Sequence, residues 1–104
     1  MPFDGTSFET VSPVTQMLID GRETVQLGWC QQNMRQRGSV CMIGSLTVAD
    51  FDTFTQAEGL VLRAIQSLGY AHRSVPTFND DVNRTKEEVL TVFDTAIELS
   101  KTAA

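Results

Sequence analysis

Thr85-Lys86-Glu87-Glu88-Val89-Leu90-Thr91-Val92-Phe93-Asp94-Thr95-Ala96-Ile97-Glu98-Leu99 is the stretch whose reading decides the fold. It opens with a capping box. Thr85 stands at the N-cap and Glu88 three positions on, so each side chain can take a backbone N–H that a helix start leaves bare. Glu87 and Glu88 also sit favourably against the positive end of a helix. Val89, Val92, Phe93, Ala96 and Leu99 then recur at the spacing of one helical face. This predicts a helix buried along one stripe and fraying at Lys101.

The same period recurs twice upstream. From Thr47 or Asp50 to Leu68, the residues Phe54, Ala57, Val61, Ala64, Ile65 and Leu68 share a face, with Asp52, Glu58 and Arg63 off it and Gly69 as terminator. A further helix starts with Ser12 as N-cap and Pro13 at the first helical position. Val14, Leu18, Gly21, Val25 and Gly28 mark its stripe, with Met17 beside them, and Gly28-Trp29 close it. Glycine inside a helix costs about 1 kcal/mol against alanine. Gly21 therefore predicts close approach of a second helix.

Between these helices the pattern is weaker. Residues 31–39 are polar and read as an exposed loop, or a frayed helix end, closed by Gly38. Val40-Cys41-Met42-Ile43-Gly44-Ser45-Leu46 is a short apolar run. A strand there would have no partner elsewhere in the chain, so it reads as a buried helical or irregular segment. Residues 70–84 read as an irregular connection, with Pro76 and Asn79-Asp80-Asp81 as turn formers. The expected fold is all-α: three main amphipathic helices plus one short buried element in a small bundle, one domain over residues 1–104 with an N-terminal arm at 1–11.

At 104 residues the chain has room for one core. Its apolar share of 41% and charged share of 20% exclude a disordered or fibrous chain. No apolar run approaches the roughly 18 to 20 residues of a bilayer helix, so no membrane is expected. Thirteen acidic residues against eight basic give a net charge of −5. Only Arg35 and Arg37 cluster, so nucleic acid is not an expected partner, and a neutral or cationic one is favoured. Met1-Pro2-Phe3-Asp4-Gly5 has no basic stretch and no apolar core of a secretory signal, which makes the cytoplasm the expected location. There Cys30 and Cys41 read as buried thiols, with a bridge between them across a short loop left open. With the single His72 they match no zinc spacing, and neither metal nor cofactor is expected.

Ordinary site motifs are missing: the chain has no GxGxxG, GxxxxGKS/T, HExxH or GxSxG. His72 has no spacing that ties it to either cysteine, so no nucleophile–base pair is fixed and no catalytic residue is assigned. Trp29 ends an amphipathic stripe and reads as a core anchor, or as one wall of a ligand pocket with Gln31 as a polar contact. Asn79, Asp80 and Arg84 read as turn, cap and carboxylate-fork residues, or as the lining of a polar cleft. Arg84 stands four positions after Asp80, across a tight turn, which predicts that Arg84 holds Asp80 and reaches a backbone carbonyl of the Trp29 region.

Several of these residues fall in ordered motifs. Gly28-Trp29-Cys30-Gln31, then Gly38, Cys41-Met42-Ile43-Gly44-Ser45-Leu46, Phe78-Asn79-Asp80 and Arg84-Thr85-Lys86-Glu87-Glu88-Val89 resemble an uncharacterised domain-of-unknown-function family of actinobacteria, other bacteria and phages, with a GWCQ, CxxGAL, WND and RTxEEV pattern. The resemblance spans Val14 to Ala96. Ser45 stands where the family has Ala, Phe78 where it has Trp, and the loop around Asn33 to Ser39 is trimmed. The family supplies no catalytic residues. What the resemblance implies is that Trp29, Cys30, Gln31, Cys41, Asn79, Asp80 and Arg84 meet in space.

Two functional readings follow. The first is a small non-catalytic helical protein that acts by binding: to itself as a homo-oligomer, to another protein or to a small molecule. A domain this small is marginal alone, and Phe3 and Phe8 precede the first helix with no core position, so a partner surface is expected to cover them. The alternative is a small enzyme or ligand-binding protein with a cleft near Trp29, Cys30 and Asp80.

Overall fold

The computed structural model describes residues 11–46 and 50–102. The described chain is mostly helical, with one small antiparallel sheet. The elements run α1 (Pro13–Leu27), β1 (Arg35–Gln36), β2 (Ser39–Val40), α2 (Met42–Ser45), α3 (Phe51–Ser67), α4 (Val75–Asn79) and α5 (Lys86–Thr102). The expected arm lies almost entirely outside the described residues, and so do Phe3, Phe8 and the Thr47 start considered for the second long helix.

The three long helices start where the sequence places their caps. Ser12 Oγ accepts the Thr15 N–H ahead of α1, and Asp50 accepts the Asp52 N–H ahead of α3. At α5 the capping box closes in both directions: Glu88 Oε1 accepts the Thr85 N–H at 2.9 Å and Thr85 Oγ1 accepts the Glu88 N–H at 3.2 Å. The stripes then meet in one core. Leu18 and Val25 come from α1, Ala57, Val61, Ala64 and Ile65 from α3, and Val89, Val92, Phe93 and Ala96 from α5, all without exposed surface. Gly21 is a point of close approach. A Cβ there would lie 3.1 Å from Leu46 Cδ2 and 3.2 Å from the Phe93 ring, so α5 and the end of α2 both press on α1.

Three expectations need correction. The 31–39 stretch is not a plain loop: β1 and β2 pair as a short hairpin, with Arg35 opposite Val40 and Gln36 opposite Ser39. Its turn residues, Arg37 and Gly38, have φ of 50° and 86°, the left-handed pair that a two-residue hairpin turn requires. Val40 therefore has partners that hydrophobic periodicity could not show, while Met42–Ser45 forms the buried helical turn expected for this run. The 70–84 connection carries a helix, α4, capped by Ser74, with Pro76 in its first turn. Finally Leu68, assigned to the α3 stripe, follows the last turn of α3 and is 41% exposed.

Candidate functional site

The end of α1, the hairpin, α2 and the end of α4 meet at one corner of the molecule. Backbone pairing begins it. Val40 N–H donates to Gly28 O and Cys30 N–H to Val40 O, each at 3.0 Å, making a single parallel bridge between Trp29 and Val40. The Met34 carbonyl accepts the Cys41 N–H at 3.1 Å and lies so close over Gly44 that a Cβ there would overlap it. The Cys41 sulfur accepts the Gly44 N–H at 3.2 Å and so caps α2.

Asn79 locks these pieces together. It is 1% exposed, and its amide makes four bonds. Oδ1 accepts the Trp29 indole N–H at 2.8 Å and the Met42 N–H at 3.1 Å. Nδ2 donates to Cys30 O at 3.2 Å and to Asp80 Oδ1 at 2.9 Å. A buried amide needs all its groups paired, and this one has them. Gln31 adds a second clasp, its Nε2 donating to Asn79 O, at the end of α4, at 3.0 Å and to Asp81 O, which also accepts the Arg84 N–H, at 2.8 Å. Asp80 Oδ1 also accepts the Gln32 N–H at 2.8 Å, which holds Gln32 in a left-handed conformation of φ 69°.

Of the residues expected to meet, Trp29, Cys30, Gln31, Cys41, Asn79 and Asp80 do so at this corner. Arg84 does not join them. It makes no hydrogen bond or ion pair with Asp80, and the carbonyl it reaches is that of Phe78, at 2.9 Å from Nε. Its carboxylate partners are Glu88, at 3.1 Å, and Asp81, at 3.8 Å. The guanidinium lies 3.6 Å over the Phe78 ring and 4.7 Å from the Tyr70 ring, its side chain only 5% exposed. The expected Asp80 pairing overlooked that Asp80 faces the hairpin, while Asp81 and the first turn of α5 face Arg84. His72 belongs to this second cluster, its Nε2 at 3.1 Å from Asp81 and its ring edge-on to Phe78. The sequence reading missed Asp81, Glu88 as an Arg84 partner, and Tyr70. The i,i+4 spacing of Arg84 and Glu88 was the available signal.

Electrostatics divide the two clusters. The Asn83 N–H and the His72 ring hold the Asp81 carboxyl below its ordinary range, and Arg84 adds to this. The Thr85 N–H, with Arg84, does the same for Glu88. At the corner the direction reverses: burial pushes the Cys30 thiol up, and the neighbouring Cys41 and Asp80 push it further. Cys30 donates its S–H to Asn33 O at 3.2 Å, and both thiols are free.

Two hollows flank the 30–36 segment. An open cleft of about 540 Å³ lies between Trp29, Gln31, Gln32, Gln36, Arg37 and Ser39. A smaller, more apolar one of about 250 Å³ is walled by Met34, Cys41, Ile43, Pro76 and Asp80. Among the described residues no group of three or more His, Cys, Asp or Glu is placed to hold a metal ion. No described helix is long and apolar enough to cross a membrane.

The chain belongs to DUF6197. This is a family of unknown function, and its profile matches residues 9–99, taking in all of the corner. No curated protein and no solved structure matches the chain. Within this DUF6197 chain the corner built on Asn79 and the Arg84 cluster are tied to adjacent residues of α4, Asn79 and Phe78.

Proposed function

We propose that this protein is a non-catalytic binding module whose binding face is the open cleft beside Trp29. The observation that carries this reading is the internal engagement of the corner's polar side chains. Asn79, Gln31 and one oxygen of Asp80 are all bonded to the chain itself. Nucleophilic catalysis needs a nucleophile within reach of an oriented base. Here burial raises the Cys30 thiol, the opposite of activation, and His72 pairs with Asp81. The cleft offers a partner the Trp29 ring, the Gln32 and Gln36 amides and the Arg37 guanidinium on a preformed frame.

Fragment screening by NMR on labelled protein tests this reading. Binders are expected to shift the Trp29 indole N–H and the Gln32 and Gln36 side-chain amides together. Hits that leave those resonances unmoved, or turnover of a fragment, overturn it.

Self-association is a second reading, favoured by exposed large apolar side chains. Leu27 is 90% exposed, Val82 89% and Phe51 73%. The expected partner is a second copy in a two-fold dimer. Sedimentation equilibrium at micromolar concentration decides it, and a clean 11.5 kDa species refutes it.

A further inference from the structure

Cys30 and Cys41 each follow one residue of a bridged pair. Trp29 and Val40 face each other in the parallel bridge, fixed by the Cys30 N–H to Val40 O and Val40 N–H to Gly28 O bonds. In a parallel ladder the residues that follow a bridged pair oppose each other in turn, with their side chains on the other face. Val40 is buried in the core and Trp29 packs against it, while Cys30 and Cys41, the next residue of each strand, are each half-buried. Neighbouring strands lie roughly 4.8 Å apart, inside the roughly 4.4–6.8 Å between Cα atoms that a disulfide spans. Both cysteines are half-buried free thiols, and the charge of one is felt by the other.

We propose that Cys30 and Cys41 form a reversible intramolecular disulfide, which ties the strand leaving α1 to the N-cap of α2 and closes the hairpin into a covalent loop. The oxidant class is a small-molecule disulfide such as oxidised glutathione. One protein thiolate attacks a glutathione sulfur, breaking its S–S bond and releasing one glutathione thiolate. The second protein thiolate then attacks the mixed disulfide at the protein sulfur and displaces the other glutathione. Two protein thiols lose two electrons and two protons, and the oxidised glutathione is reduced to two thiols. Little native bonding opposes the step. The one donor lost is the Cys30 S–H to Asn33 O, a weak one, and the Cys41 sulfur keeps a lone pair for the Gly44 N–H. Thiolate is the attacking form in both exchange steps, so oxidation quickens as pH rises. The bond fixes one wall of the cleft, yet the pairing rests on backbone register and stands whether or not the cleft binds anything.

The test equilibrates the full chain in buffers of graded reduced-to-oxidised glutathione ratio, quenches with acid, and alkylates under denaturing conditions before intact-mass measurement. The two alkylation sites are expected to disappear together, with loss of two hydrogens and no added glutathione. Trypsin should then release the Cys30 and Cys41 peptides joined, since Arg35 and Arg37 lie between them. Cys30→Ser and Cys41→Ser should each stop at one glutathione per chain. Folded protein should oxidise at a ratio at least tenfold more reducing than the same chain in urea, which separates native register from mere closeness in sequence. Separate glutathionylation of both cysteines, a disulfide between chains, thiols that stay alkylatable throughout, or equal ratios folded and unfolded would each overturn the proposal.

Discussion

The region where α1, α3 and α5 pack and the corner around Asn79 are held by different physics. In the first, ten aliphatic and aromatic side chains from three stripes lose all their exposed surface. Few polar bonds cross it; the Thr15–Ser100 hydroxyl pair at 2.6 Å and Arg22 to Asp94 at 2.6 Å lie at its margins. At the corner short elements of two to five residues could not bury enough surface to be stable alone. There the order comes from directed hydrogen bonds spanning 37 to 50 positions of sequence. The difference teaches how each should fail. Truncating an apolar side chain creates a cavity whose cost depends on volume, whereas removing one amide strands several buried partners at once.

That contrast can be broken by substitution. Phe93→Ala, in the three-helix region, is expected to have the largest effect, about 3–5 kcal/mol as for other buried phenylalanines. Urea denaturation followed by circular dichroism measures it, and a loss under about 1 kcal/mol would mean the site collapses or is not core. Gly44→Ala sharpens the other side. Its methyl would overlap the Met34 carbonyl, so the hairpin must shift, at about 1–3 kcal/mol as for overpacking. Its emission spectrum should change because Trp29, the single tryptophan, stands on that corner. An unchanged spectrum and midpoint would remove Met34 from the account.

Arg84→Ala comes next, at about 1–3 kcal/mol for a buried charged hydrogen-bond donor. Arg84→Lys should recover only part, since an ammonium cannot bond Phe78 O and Glu88 while stacking on the Phe78 ring. A variant with wild-type midpoint and slope would move Arg84 from structure to function. The smallest effect is in acid. Asp81 and Glu88 are held below their ordinary values, so each adds stability that is present above about pH 4 and lost as pH falls through its lowered folded value. Arg84→Ala should make the fall in stability between about pH 5 and pH 2 shallower than in wild type. Equal slopes would show that the backbone N–H bonds alone set both groups.

The sequence was legible where structure is local. The capping box and, Leu68 apart, the three stripes depend on neighbours within one or two turns and are present as read, while the Gly21 approach is legible only through the cost of a glycine inside a helix. The β1–β2 hairpin was not legible because Arg37 occupies a left-handed position that a sequence reader assigns to Gly, Asn or Asp. Helix α4 was hidden because Pro76 and Asn79 are turn formers elsewhere, though Ser74 with Pro76 behind it is also a helix start. Convergence of the motif residues was expected from the family resemblance rather than from pattern. Arg84 was misplaced because the choice between Asp80 and Asp81 turns on which way the α4 terminus faces, and that is set by tertiary bonds to Gln31 and Gln32.

The central claim is that Asn79 holds the corner as a clasp. The most direct test is urea unfolding of Asn79→Ala followed on one sample by Trp29 fluorescence and by far-UV circular dichroism. Wild type should give coincident transitions. The variant should be destabilised by about 2–4 kcal/mol, as for several buried groups left unpaired, with the fluorescence transition at lower urea than the loss of helix. Coincident transitions at the wild-type midpoint would contradict the account.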